Sequence, residues 1–480
     1  METTLERAFT DSEGFSDVPR IFLKTTPFNR LRNRLCGTSL KLEDFFPGYN
    51  ADVDRIRKRD YQRILESDRI YLDSTATSQV PESVIRKIFE FRMNYLRGSN
   101  HSKNSKEARR ADEEWHKFKD ALRSFFHANN YHIAATPGTT GSSLLIASNF
   151  KWRPGDLFMP SESEHNSQYA SAVEFARKAG AKVDFARINL EDGRIDLDYV
   201  VNAVRAHQGR SIVSIVDASN LTGVITGIEK IRKALPNSII SLDMAQSGGH
   251  IPRNLDELGV EFAATSAHKM YGPTGIGALF VRKDAVDLLD FPRAGGSVFL
   301  SGKSGAVPLE APGCWEPGTQ HLEGGIEWRY ALEFITKFGM DKIHAHDNAL
   351  GAYFLREIQK IPNVRVYGPK DFERGDRTAV VTFSIDNLFN HDYVAQELDR
   401  RGISVRNGCF CAHILGSKLA GVEVYDKLEE MITDINLGKR DKSEVILPGA
   451  VRASFAFYNT IKEANYTVQA VREIASQFSR

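Results

Sequence analysis

The sequence predicts an α/β protein: a large domain on a mostly parallel sheet, then a smaller C-terminal α/β domain. Three observations carry this. From Ser211 to Val281, apolar runs of strand length alternate with helix-like segments, as in a sheet buried on both faces. Two of those runs, Ser238–Asp243 and Val260–Ala264, lie one strand–helix–strand unit apart, and each gives way to polar residues. From about residue 345 a second, shorter set of helices and strands begins. The expected division is therefore 1–70 as an N-terminal extension, 71–345 as the large domain and 346–480 as the small one.

Composition bounds the rest. With 480 residues, 41% apolar and 26% charged, the chain has the balance of a soluble protein of two or three domains. A net charge of +1 argues against nucleic acid or an acidic membrane as the main partner. Four cysteines, Cys36, Cys314, Cys409 and Cys411, are too few for a disulfide scaffold and fit a reducing cytosol. The N-terminal METTLERAFTDSEGFSD has no apolar h-region, and no apolar run is long enough to span a bilayer. A cytoplasmic location is expected, and no metal site.

The elements follow in order. Residues 1–70 are charged, with basic runs in RLRNRL and DRIRKRDYQRI; a helical arm is expected, interrupted by a turn at FFPGYN. Arg69–Asp73 (RIYLD) is a short strand. Pro81 opens the apolar-periodic helix PESVIRKIFEFRMNYL. A loop carrying His101 then leads into a long amphipathic helix. Tyr131–Ala135 is a strand, and TPGTTG after it opens a helix. Such a glycine–threonine turn is either a phosphate cradle at the positive helix end or a capped helix start. GDLFMPSESEHNSQYASAVEFARKAGAKVDFARI reads strand, loop, helix, strand, with His165 before the helix. RSIVSIVDASN is a buried strand with Asn220 in the turn behind it. The strands ending at Asp243 and Ala264 come next, then the polar cluster Thr265–Lys269, a YGPTG turn and the strand IGALFV. Gly296 to Gly325 reads as one long Gly- and Pro-rich loop, of a length that usually carries function. A helix (IEWRYALEFITKF) passes to the second unit of helices and strands, and the helical-looking VYDKLEEMITDI with the polar LGKRDKSE after it reads as an irregular surface region.

Lys269 stands where no solvated helix face is available, between apolar strand-like segments. A lysine so placed loses its proton readily and becomes a nucleophile. Asp243 is expected at the carboxyl end of the neighbouring parallel strand, where α/β sheets bind ligands. One amine and one carboxylate there match the needs of pyridoxal 5'-phosphate: a lysine to condense with its aldehyde, and an acid to keep its ring nitrogen protonated.

SAHKMYGPTGIGALF resembles the lysine motif of class V aminotransferase-like, fold-type I pyridoxal-phosphate enzymes, and is most similar to the cysteine desulfurase and selenocysteine lyase branch. Motifs agreeing in order extend the resemblance over about residues 70–480. It implies a fold-type I transferase architecture and a set of roles. Thr139, Thr140, Ser266 and His268 would bind the cofactor phosphate. His165 would stack on the ring and pass protons, Gln246 would meet the ring hydroxyl, and Asn220 the ring oxygen or the substrate carboxylate. EPGTQ, with Thr319, would reach the phosphate of a partner subunit, implying a homodimer with composite sites. Arg452, in VRASFAFYNT, would pair with the substrate α-carboxylate, as suits a planar guanidinium, with Arg406 assisting. His101 reads either as a substrate neighbour or as a plain loop histidine, and Cys314 as structural. The family pattern usually continues the first strand as Asn-Ala-Ala; here it runs STATSQVP.

RNGCFCAHI separates the possible reactions. Desulfurases carry a loop cysteine after an Arg-x-Gly motif, and Cys411 matches it. Cys409 and Phe410 replace the usual preceding histidines, a form closer to molybdenum-cofactor sulfurases. The resemblance thus implies removal of sulfur from L-cysteine or a related amino acid through a Cys411 persulfide, giving alanine, with a sulfur-acceptor protein as a possible partner. The alternatives are an aminotransferase, epimerase or C–S lyase on a specialised amino acid, in which Cys411 is dispensable, and a non-catalytic scaffold, which the retained Lys269, Asp243 and phosphate loop oppose.

Overall fold

The computed structural model describes residues 48–50, 52–99, 104–442 and 448–478. RLRNRL, Cys36 and His101 lie outside them. Among the described residues no helix is long and apolar enough to cross a membrane.

The chain forms a mixed α/β fold around a seven-stranded sheet in the order β2-β8-β7-β6-β5-β3-β4. Its strands are β2 (Tyr131–Thr136), β3 (Leu157–Pro160), β4 (Lys182–Val183), β5 (Ser211–Val216), β6 (Ile239–Asp243), β7 (Phe262–Ser266) and β8 (Gly277–Arg282). β8 runs antiparallel to both β2 and β7, and the pairs from β7 through β6, β5 and β3 to β4 are parallel. Alternate residues feed two cores. Ile133, Met159, Val213, Ile240, Ala263 and Phe280 join one apolar cluster, while Ala134, Phe158, Ile212, Phe262, Leu279 and Val281 join another. The period of two and burial on both faces explain why these runs read as continuously apolar.

A four-stranded antiparallel sheet, β11-β12-β15-β14, is built from β11 (Val364–Tyr367), β12 (Val380–Ile385), β14 (Arg406–Gly408) and β15 (Ala450–Ser454). The run RIYLD gives only the two-residue β1 (Ile70–Tyr71), paired in parallel with β13 (Ile403–Ser404). Upstream, the basic run DRIRKRDYQRI folds as helices Val53–Asp60 and Gln62–Glu66.

Two expectations need correction. β7 does not break at Ala264; it continues through Thr265 and Ser266, because β8 offers partners as far as Ser266↔Gly277. The long loop contains a hairpin, β9 (Val298–Gly302) and β10 (Gly305–Pro308), whose glycines mark the turn rather than an unstructured stretch. The helical-looking VYDKLEEMITDI lies within a regular helix, Val422–Asn436.

The Ser266↔Gly277 pair positions the site. A Cβ on Gly277 would stand 2.5 Å from the Thr265 carbonyl oxygen and 2.6 Å from Gly138 Cα. Glycine lets the loop before the helix Thr139–Asn149 approach the sheet. Gly277→Ala is expected to cost about 1–3 kcal/mol through overpacking and to loosen cofactor binding. Thermal unfolding with and without cofactor measures both.

Candidate active site

The strands of the large sheet deliver their side chains at one end. Thr139 follows β2, His165 follows β3, Asn220 follows β5, Asp243 ends β6, and Ser266 ends β7 just before the single turn Ala267–Lys269. This is the carboxyl edge where parallel sheets collect ligands. β14 and the loop behind it bring Arg406, Phe410 and Cys411; β15 brings Arg452. Twelve of the expected site residues line one cavity of about 300 Å³: Thr139, Thr140, His165, Asn220, Asp243, Gln246, Ser266, His268, Lys269, Arg406, Cys411 and Arg452. Thr75 and Phe410, which were noted only as departures from a pattern, line it too. Thr319 does not; it is exposed in the loop beyond Trp315. That loop is anchored by Glu316, which pairs with Lys119 and accepts from the Ala135 amide at 2.5 Å. Grooves of about 1030 and 910 Å³ elsewhere are larger but lack this convergence of amine, carboxylate, thiol and guanidinium.

One corner suits an anion. Gly138, at φ +137°, precedes the helix Thr139–Asn149. The Thr139 amide donates to Ser266 Oγ at 2.8 Å, and the Thr139 hydroxyl shares a hydrogen bond with it at 2.7 Å. Amide, hydroxyls and the positive helix end thus meet at one point.

The lysine turn is clamped from outside. The His268 carbonyl accepts from the Ser78 amide at 2.8 Å, from Ser78 Oγ at 3.0 Å and from Thr77 Oγ1 at 3.1 Å. The Tyr271 amide donates to Ser78 Oγ at 2.7 Å. Burial pushes the Lys269 amine down to about 8; Asp243 opposes the shift and Arg452 adds to it. Asp243 is buried, and burial raises its carboxyl above the usual range, against the Ala245 amide and the Lys269 charge. Asp243 Oδ1 accepts from that amide at 2.8 Å.

His165 Nδ1 accepts from the Ser167 amide at 3.2 Å and pairs with its hydroxyl at 2.8 Å. That leaves the proton of the neutral ring on Nε2. Burial, then the Lys269 charge, pushes this histidine down to about 4, and His268 likewise. Gln246 Nε2 donates to the Thr75 carbonyl at 3.0 Å. Asn220 Nδ2 donates to the Phe410 carbonyl at 2.6 Å, while its Oδ1 is buried with no partner. An orphaned acceptor beside a buried acid and an amine is what a polar ring cofactor would complete.

Cys411 is exposed, at φ +54°, and Phe410 before it lies at +55°. Left-handed backbone at two successive non-glycine residues is strained, a feature concentrated at functional sites. The Asn166 amide donates to the Cys411 carbonyl at 2.8 Å, so the loop is held against the segment that carries His165. Cys409 is half-buried and its thiol donates to the Pro448 carbonyl at 3.1 Å; burial, then Cys411, pushes it up. Cys314 is buried in the core beside Trp315, and burial pushes its thiol up to about 12, as befits a structural residue.

Sequence reasoning missed one charged group here. Arg452 is buried, and its Nη2 pairs with Asp73 Oδ1 at 3.1 Å. Asp73 stood in plain view at the end of RIYLD, but nothing in the sequence ties it to Arg452.

Known proteins resemble this chain over most of its length. The family model for aminotransferase class-V matches residues 70–466. A protein from Haloferax volcanii named cysteine desulfurase is 28% identical, the match covering 84% of this chain and 88% of the relative. A probable cysteine desulfurase from Pyrococcus abyssi is 30% identical over 77% of this chain and 93% of its own. The apo structure of a cysteine desulfurase from Thermococcus onnurineus NA1 superposes with a TM-score of 0.75 at 26% identity, covering 88% of this chain and 98% of that one.

Proposed function

The chain belongs to the aminotransferase class-V family, and on that premise we propose that it removes sulfur from L-cysteine, or a closely related amino acid, through a persulfide on Cys411. It is a pyridoxal-phosphate-dependent enzyme. Pyridoxal 5'-phosphate, when bound, supplies an aldehyde for the substrate amine and an electron-accepting ring. The observation that carries the reading is the meeting of Lys269, Asp243, Arg452 and Cys411 around one cavity.

The residues fit that cofactor. Thr139, Thr140, Ser266 and His268 would hold its phosphate at the helix end. Asp243 would keep its ring nitrogen protonated, Gln246 and the orphaned Asn220 Oδ1 would meet its polar groups, and His165 would pack on the ring. Lys269 Nζ would hold the cofactor through its aldehyde and, once freed, is placed to take the substrate α-proton. Arg452, with Arg406, receives the α-carboxylate. The Cys411 thiolate attacks the substrate sulfur: an S–S bond forms, the substrate C–S bond breaks, and the β-carbon takes up a proton. The net change is L-cysteine plus the Cys411 thiol giving L-alanine plus the Cys411 persulfide. His101 we assign to the substrate side. Thr319 we assign to the phosphate of a second subunit in a homodimer, and the persulfide sulfur to an acceptor protein.

We also read residues 71–345 as the large domain and 346–480 as the small one. The seven-stranded sheet lies within 131–282 and the four-stranded sheet within 364–454. A cytoplasmic location fits the three described cysteines, all of them free.

Holoenzyme incubated with L-cysteine and a reductant is expected to release alanine and sulfide in equal amounts, with the sulfur retained on the protein as persulfide when reductant is omitted. Pyruvate and ammonia in place of alanine would mean a lyase instead. A pH prediction follows from the lysine. Below about 8 the Lys269 amine carries a proton and cannot attack. The rate at which apoprotein captures pyridoxal 5'-phosphate, trapped with borohydride, is expected to rise about tenfold per pH unit up to that point and then level off. A rate that keeps rising tenfold per unit up to pH 10, about two units beyond that point, as an ordinary lysine would give, contradicts the buried amine.

A further inference from the structure

The guanidinium that would receive a substrate carboxylate already has one. Asp73 Oδ1 accepts from Arg452 Nη2 at 3.1 Å, and the Asn220 carbonyl accepts from Nη1 at 2.9 Å. The Phe410 ring covers the guanidinium, 4.8 Å from its carbon to the ring centroid. Nε is buried and has no partner. A guanidinium has five N–H donors. Two are committed here; the others, the unpaired Nε–H among them, are what an incoming carboxylate can engage.

Asp73 is not a chance surface contact. Its side chain is 15% exposed, and that of Arg452 4%. The segment that carries it is pinned to the end of β15, two residues from Arg452. The Ser454 amide donates to the Leu72 carbonyl at 2.8 Å, and the Thr75 amide to Ser454 Oγ at 3.0 Å. The Tyr71 hydroxyl donates to the Thr77 carbonyl at 2.8 Å and lies 3.2 Å from the Asp73 carbonyl, so it ties down the same turn. The carboxylate is therefore built into the site along with the arginine, and its neighbours Thr75 and Ala76 line the cavity.

We propose that Asp73 is the resident counter-ion of the substrate-carboxylate arginine: it neutralises Arg452 in the empty site, and by sharing that guanidinium with the bound amino acid it limits how tightly substrate and product are held. The proposal rests on the reading of Arg452 as the carboxylate site. Its physics is simple. A buried guanidinium with no counter-charge is costly, so an empty site lacking Asp73 would gain strongly from any anion. With Asp73 present, much of that gain is already spent, and a second carboxylate arrives against the charge of the first. Exposed Arg406 lines the same cavity and supplies a further positive charge. The consequence is an amino-acid site that recognises a carboxylate yet lets alanine leave.

The test uses the holoenzyme and two ligands that differ only in that charge, L-alanine and L-alaninamide, titrated by the change in cofactor absorbance. Asp73→Asn keeps an acceptor oxygen for Nη2 and removes the negative charge. It is expected to bind L-alanine at least about tenfold more tightly than the parent enzyme, with L-alaninamide changed by less than about twofold. Steady-state kinetics should show KM and kcat falling together as release slows. Unchanged or weaker L-alanine binding, or an equal shift for both ligands, overturns the proposal. Should Asp73→Asn fail to fold, Asp73→Ser carries the same readout. Arg452→Gln is the separate control. It should erase the parent enzyme's preference for L-alanine over L-alaninamide. If the preference survives, the carboxylate assignment itself is wrong and the proposal falls with it; if it is erased while Asp73→Asn changes nothing, only the proposal falls.

Discussion

Replacing Lys269 with alanine is expected to abolish turnover of amino-acid substrates, by at least about 10⁴-fold in kcat, while leaving the fold intact. The amine is held by a turn whose His268 carbonyl takes three hydrogen bonds from Thr77 and Ser78. None of these involves the lysine side chain, so its loss should not disturb the backbone. What disappears is the covalent hold on the cofactor and the base that moves the α-proton. Thr139, Ser266 and Asp243 remain, so pyridoxal 5'-phosphate should still bind, more weakly and reversibly, with loss of the visible absorption band that the joined lysine produces. Arginine should not rescue the variant, since a guanidinium stays protonated and cannot act as the nucleophile. Cofactor retained through dialysis after the substitution, or more than a small residual turnover, would assign the covalent role to another residue.

Replacing Cys411 with serine or alanine is expected to reduce sulfur release from L-cysteine by at least about 10³-fold and to spare everything before it. Cys411 is exposed in a strained loop at the cavity's edge, and among the described residues the hydrogen bonds between Thr139 and Ser266 and from the Ala245 amide to Asp243 do not involve it. Exchange of the α-proton of L-alanine for deuterium, followed by NMR, should therefore stay within about threefold of the parent enzyme, because Lys269 performs it. Loss of both activities together would mean that Cys411 is structural. Retention of full turnover would point to an aminotransferase, epimerase or lyase. Cys409 is the natural comparison: its thiol is half-buried and already donates to the Pro448 carbonyl, so Cys409→Ala should leave the first turnover largely intact.

Much of the fold and of the cavity was legible because the relevant signals are local. The strands from β5 to β8 are buried on both faces, so each is an unbroken apolar run. Asp243 and Lys269 are joined by a single strand–helix–strand unit, which places both at one sheet edge. The shift of β7 by two residues was not legible. It depends on pairing with β8, and cross-strand partners such as Ser266↔Gly277 leave no trace in a single strand's pattern. The β9–β10 hairpin was hidden by its glycines and by Phe299 and Leu300 facing solvent rather than a core. The last helix, Ile461–Ser476, passed unremarked although its start carries a reciprocal capping pair, Thr460 with Glu463, that could have announced it. The Asp73–Arg452 pair was beyond reach for a plainer reason. The two residues are 379 positions apart, brought together by a two-residue strand and a bridge to Ser454.

The most direct test is peptide mass spectrometry of holoenzyme after one turnover of L-cysteine, without reductant. The peptide containing Cys411 should gain the mass of one sulfur atom, lost on adding a thiol and absent in Lys269→Ala. Sulfur found only on Cys409, or on no cysteine while alanine or pyruvate accumulates, would contradict the assignment of Cys411 as the sulfur-accepting nucleophile.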